Sequence, residues 1–215
     1  MHIKDNKLNL GLLSNQDSEN GKEAIKILLS SCLKSSEPGA FIASQPDPDR
    51  FFYGMVQETY KSIGFEIGQY LDFEEGFSLE EFNAALTRPF IHLSGGNTFR
   101  FLNSLRNRGI EKRIIEYVND GGILIGVSAG AMILTPSIES AFICGDENTV
   151  DLDDFTGLEL VPFMFDPHSN KQESNIELIQ TKTDLLMASD DDAFLLVNGK
   201  QLIVGTPKLV EHATA

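Results

Sequence analysis

The sequence predicts an α/β fold: a mostly parallel central sheet with helices on both faces, in three α/β/α layers. Three observations lead there. Short apolar runs rich in β-branched and aromatic residues alternate with longer segments of helical period, and cap and turn residues stand at the boundaries between them. The last strands close on a hairpin signal, Asn198-Gly199-Lys200.

Taken in order, the strands of the first half are expected at residues 8–13, 40–43, 65–71, 90–93 and 123–127. Helices are expected between them at 22–33, 49–63, 79–86, 98–107 and 111–119. Ser78 before Leu79-Glu80-Glu81 forms a capping box, and Gly64 and Gly109 stand where helices should stop. Beyond residue 128 the pattern gives a helix starting near Ala129, a loop to Asp154, a strand at 161–165 and a helix at 174–187. The flanks of the Asn198 turn, 194–197 and 201–204, read as the closing hairpin. No linker, repeat or low-complexity tract interrupts residues 1–215, so a single domain is expected.

Composition narrows the function. A net charge of −15 argues against nucleic acid and against an anionic membrane surface, both of which call for a basic face. The acidic clusters Asp72-Phe73-Glu74-Glu75, Asp151 to Asp154 and Asp190-Asp191-Asp192 read as solvated loops. The 2 cysteines, Cys32 and Cys144, have no C-x-x-C spacing, so neither a disulfide framework nor a metal site is expected. With no signal-peptide pattern and no apolar run of about 18 residues, the expectation is a cytoplasmic protein.

The chemistry concentrates at Gly126-Val127-Ser128-Ala129-Gly130, which follows the buried-strand run Ile123-Leu124-Ile125. A nucleophile on a sharp strand-to-helix turn needs small neighbours, and Gly-x-Ser-x-Gly supplies them. Ser128 is thereby presented at the carboxyl end of a strand, where open α/β sheets build their sites. A second glycine-rich turn, Ser94-Gly95-Gly96-Asn97-Thr98, follows another strand. The N–H groups of Gly96 and Ala129 are the candidate oxyanion hole.

A serine needs a base. Of the 4 histidines, His2 and His212 lie near the ends and His92 sits inside a strand, which leaves His168 in Asp166-Pro167-His168-Ser169 as the choice. A carboxylate should orient its ring. Asp146, Glu147, Asp151 and Asp166 are all available, and the stretch between the serine and the histidine is favoured over Asp166, which is too close along the chain.

Ser94-Gly95-Gly96-Asn97-Thr98-Phe99, Gly126-Val127-Ser128-Ala129-Gly130-Ala131 and Pro162 through His168 together resemble the peptidase E family of serine peptidases, the aspartyl dipeptidases, with cyanophycinases as relatives. The resemblance implies a class I glutamine amidotransferase-like fold with serine in place of the cysteine nucleophile. It assigns Ser128 as nucleophile, His168 as base, Gly96 and Ala129 as oxyanion donors, and Asp146 as the triad acid with Glu147 in reserve. The family's segment after the catalytic histidine carries an arginine that resembles a clamp for the aspartyl carboxylate. Here that stretch reads Asn170-Lys171-Gln172-Glu173-Ser174-Asn175-Ile176, with Lys171 as its only cation. Lysine does not reproduce a bidentate guanidinium, so the resemblance carries the machinery without the Asp-X specificity.

The reading is therefore a serine hydrolase of the dipeptidase kind, acting on dipeptides or N-terminal residues with no metal or organic cofactor. A homodimer is left open. The alternatives are an esterase or amidase acting on a non-peptide substrate, and an inactive amidotransferase-like protein that binds a ligand at the same loops.

Overall fold

The computed structural model describes residues 7–171, 179–180 and 182–212. The chain runs β1 (Asn9–Leu13), α1 (Glu19–Cys32), β2 (Gly39–Ala43), α2 (Phe51–Ser62), β3 (Ile67–Asp72), α3 (Leu79–Ala85) and β4 (Phe90–Leu93). It continues through α4 (Thr98–Arg108), α5 (Glu111–Asn119), β5 (Ile123–Val127), α6 (Ala129–Met132) and α7 (Ser140–Ile143). Five strands close it: β6 (Met164–Asp166), β7 (Leu185–Met187), β8 (Ala193–Val197), β9 (Lys200–Val204) and β10 (Lys208–Val210).

Seven strands form the main sheet in the order β3-β2-β4-β5-β1-β8-β9. The pairs from β3 through β1 are parallel, and β8 and β9 are antiparallel, so the sheet is mostly parallel as expected. Alternate residues feed two cores. Leu10, Leu12, Ile42, Leu124 and Phe194 pack beneath α3 to α6, while Leu13, Phe41, Ala43, Ile125 and Leu195 pack against α1 and α2. This period of two explains the near-continuous apolar runs: a strand covered on both faces has no side to leave polar. Each such side chain contributes about 1.5–3 kcal/mol on burial.

Local signals behave as the sequence indicates. Ser78 caps α3 by accepting the Glu81 N–H at 3.3 Å, and Gly109 ends α4 at φ 64. Asn198 and Gly199 both take positive φ, 51 and 77, as the tight β8–β9 turn demands.

The second half departs from expectation in three places. The segment read as a helix over 174–187 contains β7 at its end, and residues 174–178 and 181 lie outside the described residues. Leu185-Leu186-Met187 is too short to separate helix from strand by periodicity. The loop up to Asp154 holds the one-turn helix α7, and the strand expected at 161–165 forms at Met164–Asp166. The strands β6 and β7 are parallel, with β10 antiparallel to β7, in a separate three-stranded sheet. No described helix is long and apolar enough to cross a membrane.

Candidate active site

The carboxyl ends of four parallel strands meet at one place. Register pairs Leu13 with Val127, Leu93 with Gly126 and Ile42 with Leu93, so the residues that follow these ends, Ser14, Ser128, Ser94 to Gly96 and Ser44, gather there. Parallel strands deliver their exit loops to a common edge, which is why an open α/β sheet puts its site there.

Ser128 sits at φ 50, ψ −109, a left-handed conformation unusual for a residue with a side chain. Holding it costs of order 1–3 kcal/mol. The surroundings impose it: Ser128 N–H donates to the Leu13 carbonyl at 2.9 Å and Gly130 N–H to the Ser94 carbonyl at 3.0 Å. The flanking glycines are required by space. A Cβ on Gly126 would meet the Gly130 carbonyl oxygen, and one on Gly130 the Leu93 carbonyl oxygen, each closer than 3.0 Å. The helix after the turn, α6, is a single turn of 4 residues. Its contribution is therefore individual N–H donors more than a long-range dipole.

Those donors are in place. Among the described residues neither the Ala129 nor the Gly96 N–H has an acceptor. The Gly96 N–H is aimed by its own peptide: the Gly95 carbonyl accepts from Ser44 Oγ at 2.6 Å and from Ser94 Oγ at 2.9 Å. In a trans peptide the N–H points opposite to the C=O, so two hydroxyls that hold the carbonyl on one side present the N–H on the other. Gly96 takes φ 134, and a Cβ there would strike Ser44 Oγ.

His168 Nε2 lies 3.2 Å from Ser128 Oγ. The histidine follows β6 at φ 59, and its backbone N–H donates to Ser14 Oγ at 2.7 Å, which ties the loop to the end of β1. Its Nδ1 meets Asp190 Oδ1 in a very short contact. The other oxygen of Asp190 takes Lys171 Nζ at 2.5 Å. Burial works to raise the Asp190 carboxyl, but the hydrogen bonds and positive charge of Lys171 and His168 outweigh it and hold the group below its usual value.

Here the structure corrects the sequence reading. Asp146, the acid implied by the resemblance, is turned to the start of α4: its Oδ2 accepts the Thr98 N–H at 2.8 Å and Thr98 Oγ1 at 2.6 Å. Burial raises its carboxyl, opposed by those bonds and by the charge of His168, and among the described residues no hydrogen bond joins it to the imidazole. Glu147 is exposed, and its carbonyl accepts from the Asn97 side chain. Asp190, read as part of a solvated acidic cluster, occupies the place next to Nδ1. The parallel pairing of Asp166 with Met187 explains why: the second residue past β6 and the third past β7 emerge side by side. The signal in the sequence was an apolar run, Leu185-Leu186-Met187, followed within three residues by a carboxylate. His92 is a buried core residue as expected. Asp166 is fully buried, with Oδ1 near Cys144 Sγ at 3.6 Å and Oδ2 without a partner, and burial pushes it up to about 6. Among the described residues no group of three or more His, Cys, Asp or Glu is placed to hold a metal ion.

The model of peptidase family S51 matches residues 10–205. The chain belongs to that family. It is a serine peptidase. Among similar proteins, an uncharacterised peptidase of Listeria monocytogenes is 34% identical over 171 residues, 75% of this chain and 81% of that protein. Peptidase E of Salmonella newport is 37% identical over 78 residues, which span 36% of this chain and 33% of that protein. The crystal structure of a candidate peptidase E from Listeria monocytogenes superposes with TM-score 0.72 at 26% identity, covering 91% of this chain and 97% of that one.

Proposed function

We propose that the protein hydrolyses short peptides, dipeptides or N-terminal residues, through an acyl-enzyme on Ser128. The observation that carries this reading is the line from Ser128 Oγ through both nitrogens of His168 to Asp190. In that geometry Asp190 keeps the ring proton on Nδ1 and leaves Nε2 free to take the serine proton as Oγ attacks the carbonyl. The carbonyl oxygen becomes an anion and is received by the Gly96 and Ala129 N–H groups, each such donor contributing about 2.7–4 kcal/mol to the transition state. His168 then protonates the departing amine, and later takes a proton from the water that releases the acid. No step calls for a metal or an organic cofactor. The names of the relatives support a peptide carbonyl as the target, since a serine, base and oxyanion hole do not by themselves select one acyl group.

A fluorophosphonate probe is expected to add to Ser128 of the wild type and not to Ser128→Ala, with peptide turnover lost in parallel. A folded wild type that takes no adduct by intact mass overturns the assignment.

A further inference from the structure

Beside the oxyanion loop lies a cavity of about 210 Å³. Its floor is the ends of β2 and β4, at Phe41, Ala43 and His92, and its outer wall is the first turns of α2, at Phe52, Met55 and Val56. Ser94, Gly95 and Gly96 form its lip and are also part of the active site. A Cβ placed on Gly95 would lie 3.5 Å from Ser128 Cβ, so the lip separates the cavity from the nucleophile by one backbone thickness. An apolar cavity of about 150 Å³ accommodates benzene, so this one is the size of a single large side chain.

Its chemistry is selective. Among the described residues no lysine or arginine lines it, and the one carboxylate on its wall, Asp47, already accepts the Phe51 N–H at 3.0 Å and the Tyr53 N–H at 2.9 Å. His92 is fully buried, stacks on Phe41 with ring centroids 5.3 Å apart, and shares a hydrogen bond between Nδ1 and the Tyr60 hydroxyl at 3.0 Å. Tyr60 does not line the cavity, and Nε2, the remaining polar atom of the ring, has no partner. Burial drives the imidazole down to about 3, so it is neutral at physiological pH. A carboxylate entering here would lose its water and meet no counter-charge. At the rim, Phe52 and Met55 are 61% and 47% exposed, apolar surface that an apolar substrate residue would cover.

We infer that this cavity is the side-chain subsite of the peptidase, taking a neutral apolar or aromatic residue next to the scissile bond. The inference rests on the Ser128 reading above. It also matches the lack of an arginine clamp: the cation after the histidine, Lys171, is paired with Asp190, and a pocket without a cation among the described residues stands on the other side of the nucleophile.

The test is kcat/KM across two dipeptide libraries, X-Leu and Ala-X, for wild type and Met55→Lys, with fluorophosphonate labelling run alongside. Met55 is half exposed, so the lysine is tolerated and places a cation at the rim. Expected is at least about tenfold preference for Phe, Tyr, Leu or Met over Asp, Glu and Lys in one library. Met55→Lys should lower the apolar substrates and raise the acidic ones in that same library. Acidic or basic preference, a Met55→Lys profile equal to wild type, or a labelled enzyme that cleaves no library member overturns the subsite and leaves the Ser128 nucleophile standing. Absence of both labelling and turnover overturns the Ser128 reading itself.

Discussion

Replacing Asp190 by asparagine tests the triad where structure and sequence differ most. The substitution keeps the shape and removes the charge that faces His168 Nδ1 and Lys171 Nζ. An amide can turn its NH2 toward Nδ1, which then becomes an acceptor, moves the ring proton to Nε2 and blocks uptake of the serine proton. In the serine protease template, the equivalent carboxylate-to-amide change lowers kcat by about 10⁴, or about 5.5 kcal/mol at 1.36 kcal/mol per decade. The Asp190 side chain is 23% exposed and shared with Lys171, so water screens part of its effect and a loss of about 10² to 10⁴ in kcat is expected. KM should change little, because the charge acts on the histidine and not on the substrate. Steady-state kinetics of Asp190→Asn and Asp146→Asn, with melting temperatures for both, decide the matter. Asp146→Asn keeps an acceptor for Thr98 and should cost only a few degrees and a modest part of the rate. Near-wild-type kcat in Asp190→Asn together with a hundredfold loss in Asp146→Asn would refute the orientation argued here and return the role to Asp146.

Three further outcomes follow from the same coordinates. Gly130→Ala drives a Cβ into the Leu93 carbonyl and should destabilise by at least about 2 kcal/mol in urea unfolding, with activity lost even where the protein folds. Ser44→Ala releases one of the two hydroxyls on the Gly95 carbonyl and should lower kcat roughly tenfold at constant KM, because the Gly96 N–H loses its aim without leaving. Asp166 is raised by burial from 3.8 to about 6, so between those values the folded chain binds a proton that the unfolded chain releases. Its contribution therefore falls as pH rises from about 4 to about 6 and is flat above, by up to about 3 kcal/mol in total; Asp166→Asn should flatten that part of the stability-pH curve and raise the melting temperature at pH 8.

The first half of the chain was legible because its signals are local and agree with one another. Apolar runs, the Ser78 cap and the glycines at 64 and 109 each fix an element within a few residues, and the resulting parallel order brings Ser128 and Gly96 to one edge. The second half was less legible because its elements are short. Leu185 to Met187 makes a three-residue strand whose existence depends on a neighbour about 20 residues earlier, and no window centred on it contains that information. Asp190 was missed for the same reason: beside Asp191 and Asp192 it reads as one of three equivalent charges. Their fates differ. Asp191 is exposed, whereas buried Asp192 ties the Ser189 N–H and the Thr206 N–H to its two oxygens.

The two halves of the proposed catalytic line are held by different parts of the fold. His168 and Asp190 ride on adjacent parallel strands, locked by the Ala188 N–H to the Asp166 carbonyl at 2.8 Å and the Ser169 N–H to the Ala188 carbonyl at 3.0 Å, so they move as a pair. Ser128 belongs to the main sheet. Several contacts join them: Ser14 Oγ, at the end of β1, takes the His168 N–H at 2.7 Å and faces the Ala188 carbonyl at 3.4 Å, the Ser14 N–H donates to the Asp192 carbonyl at 3.3 Å, Ser140 Oγ donates to the Phe165 carbonyl at 2.7 Å, and the Asn20 N–H donates to Asp191 Oδ1 at 2.9 Å. The spacing of His168 and Asp190 is therefore set by the β6–β7 pairing, while the 3.2 Å between His168 Nε2 and Ser128 Oγ is set by these contacts between separate parts of the fold, of which Ser14 lies nearest the histidine. A hydrogen bond of that length commonly tightens when substrate is bound.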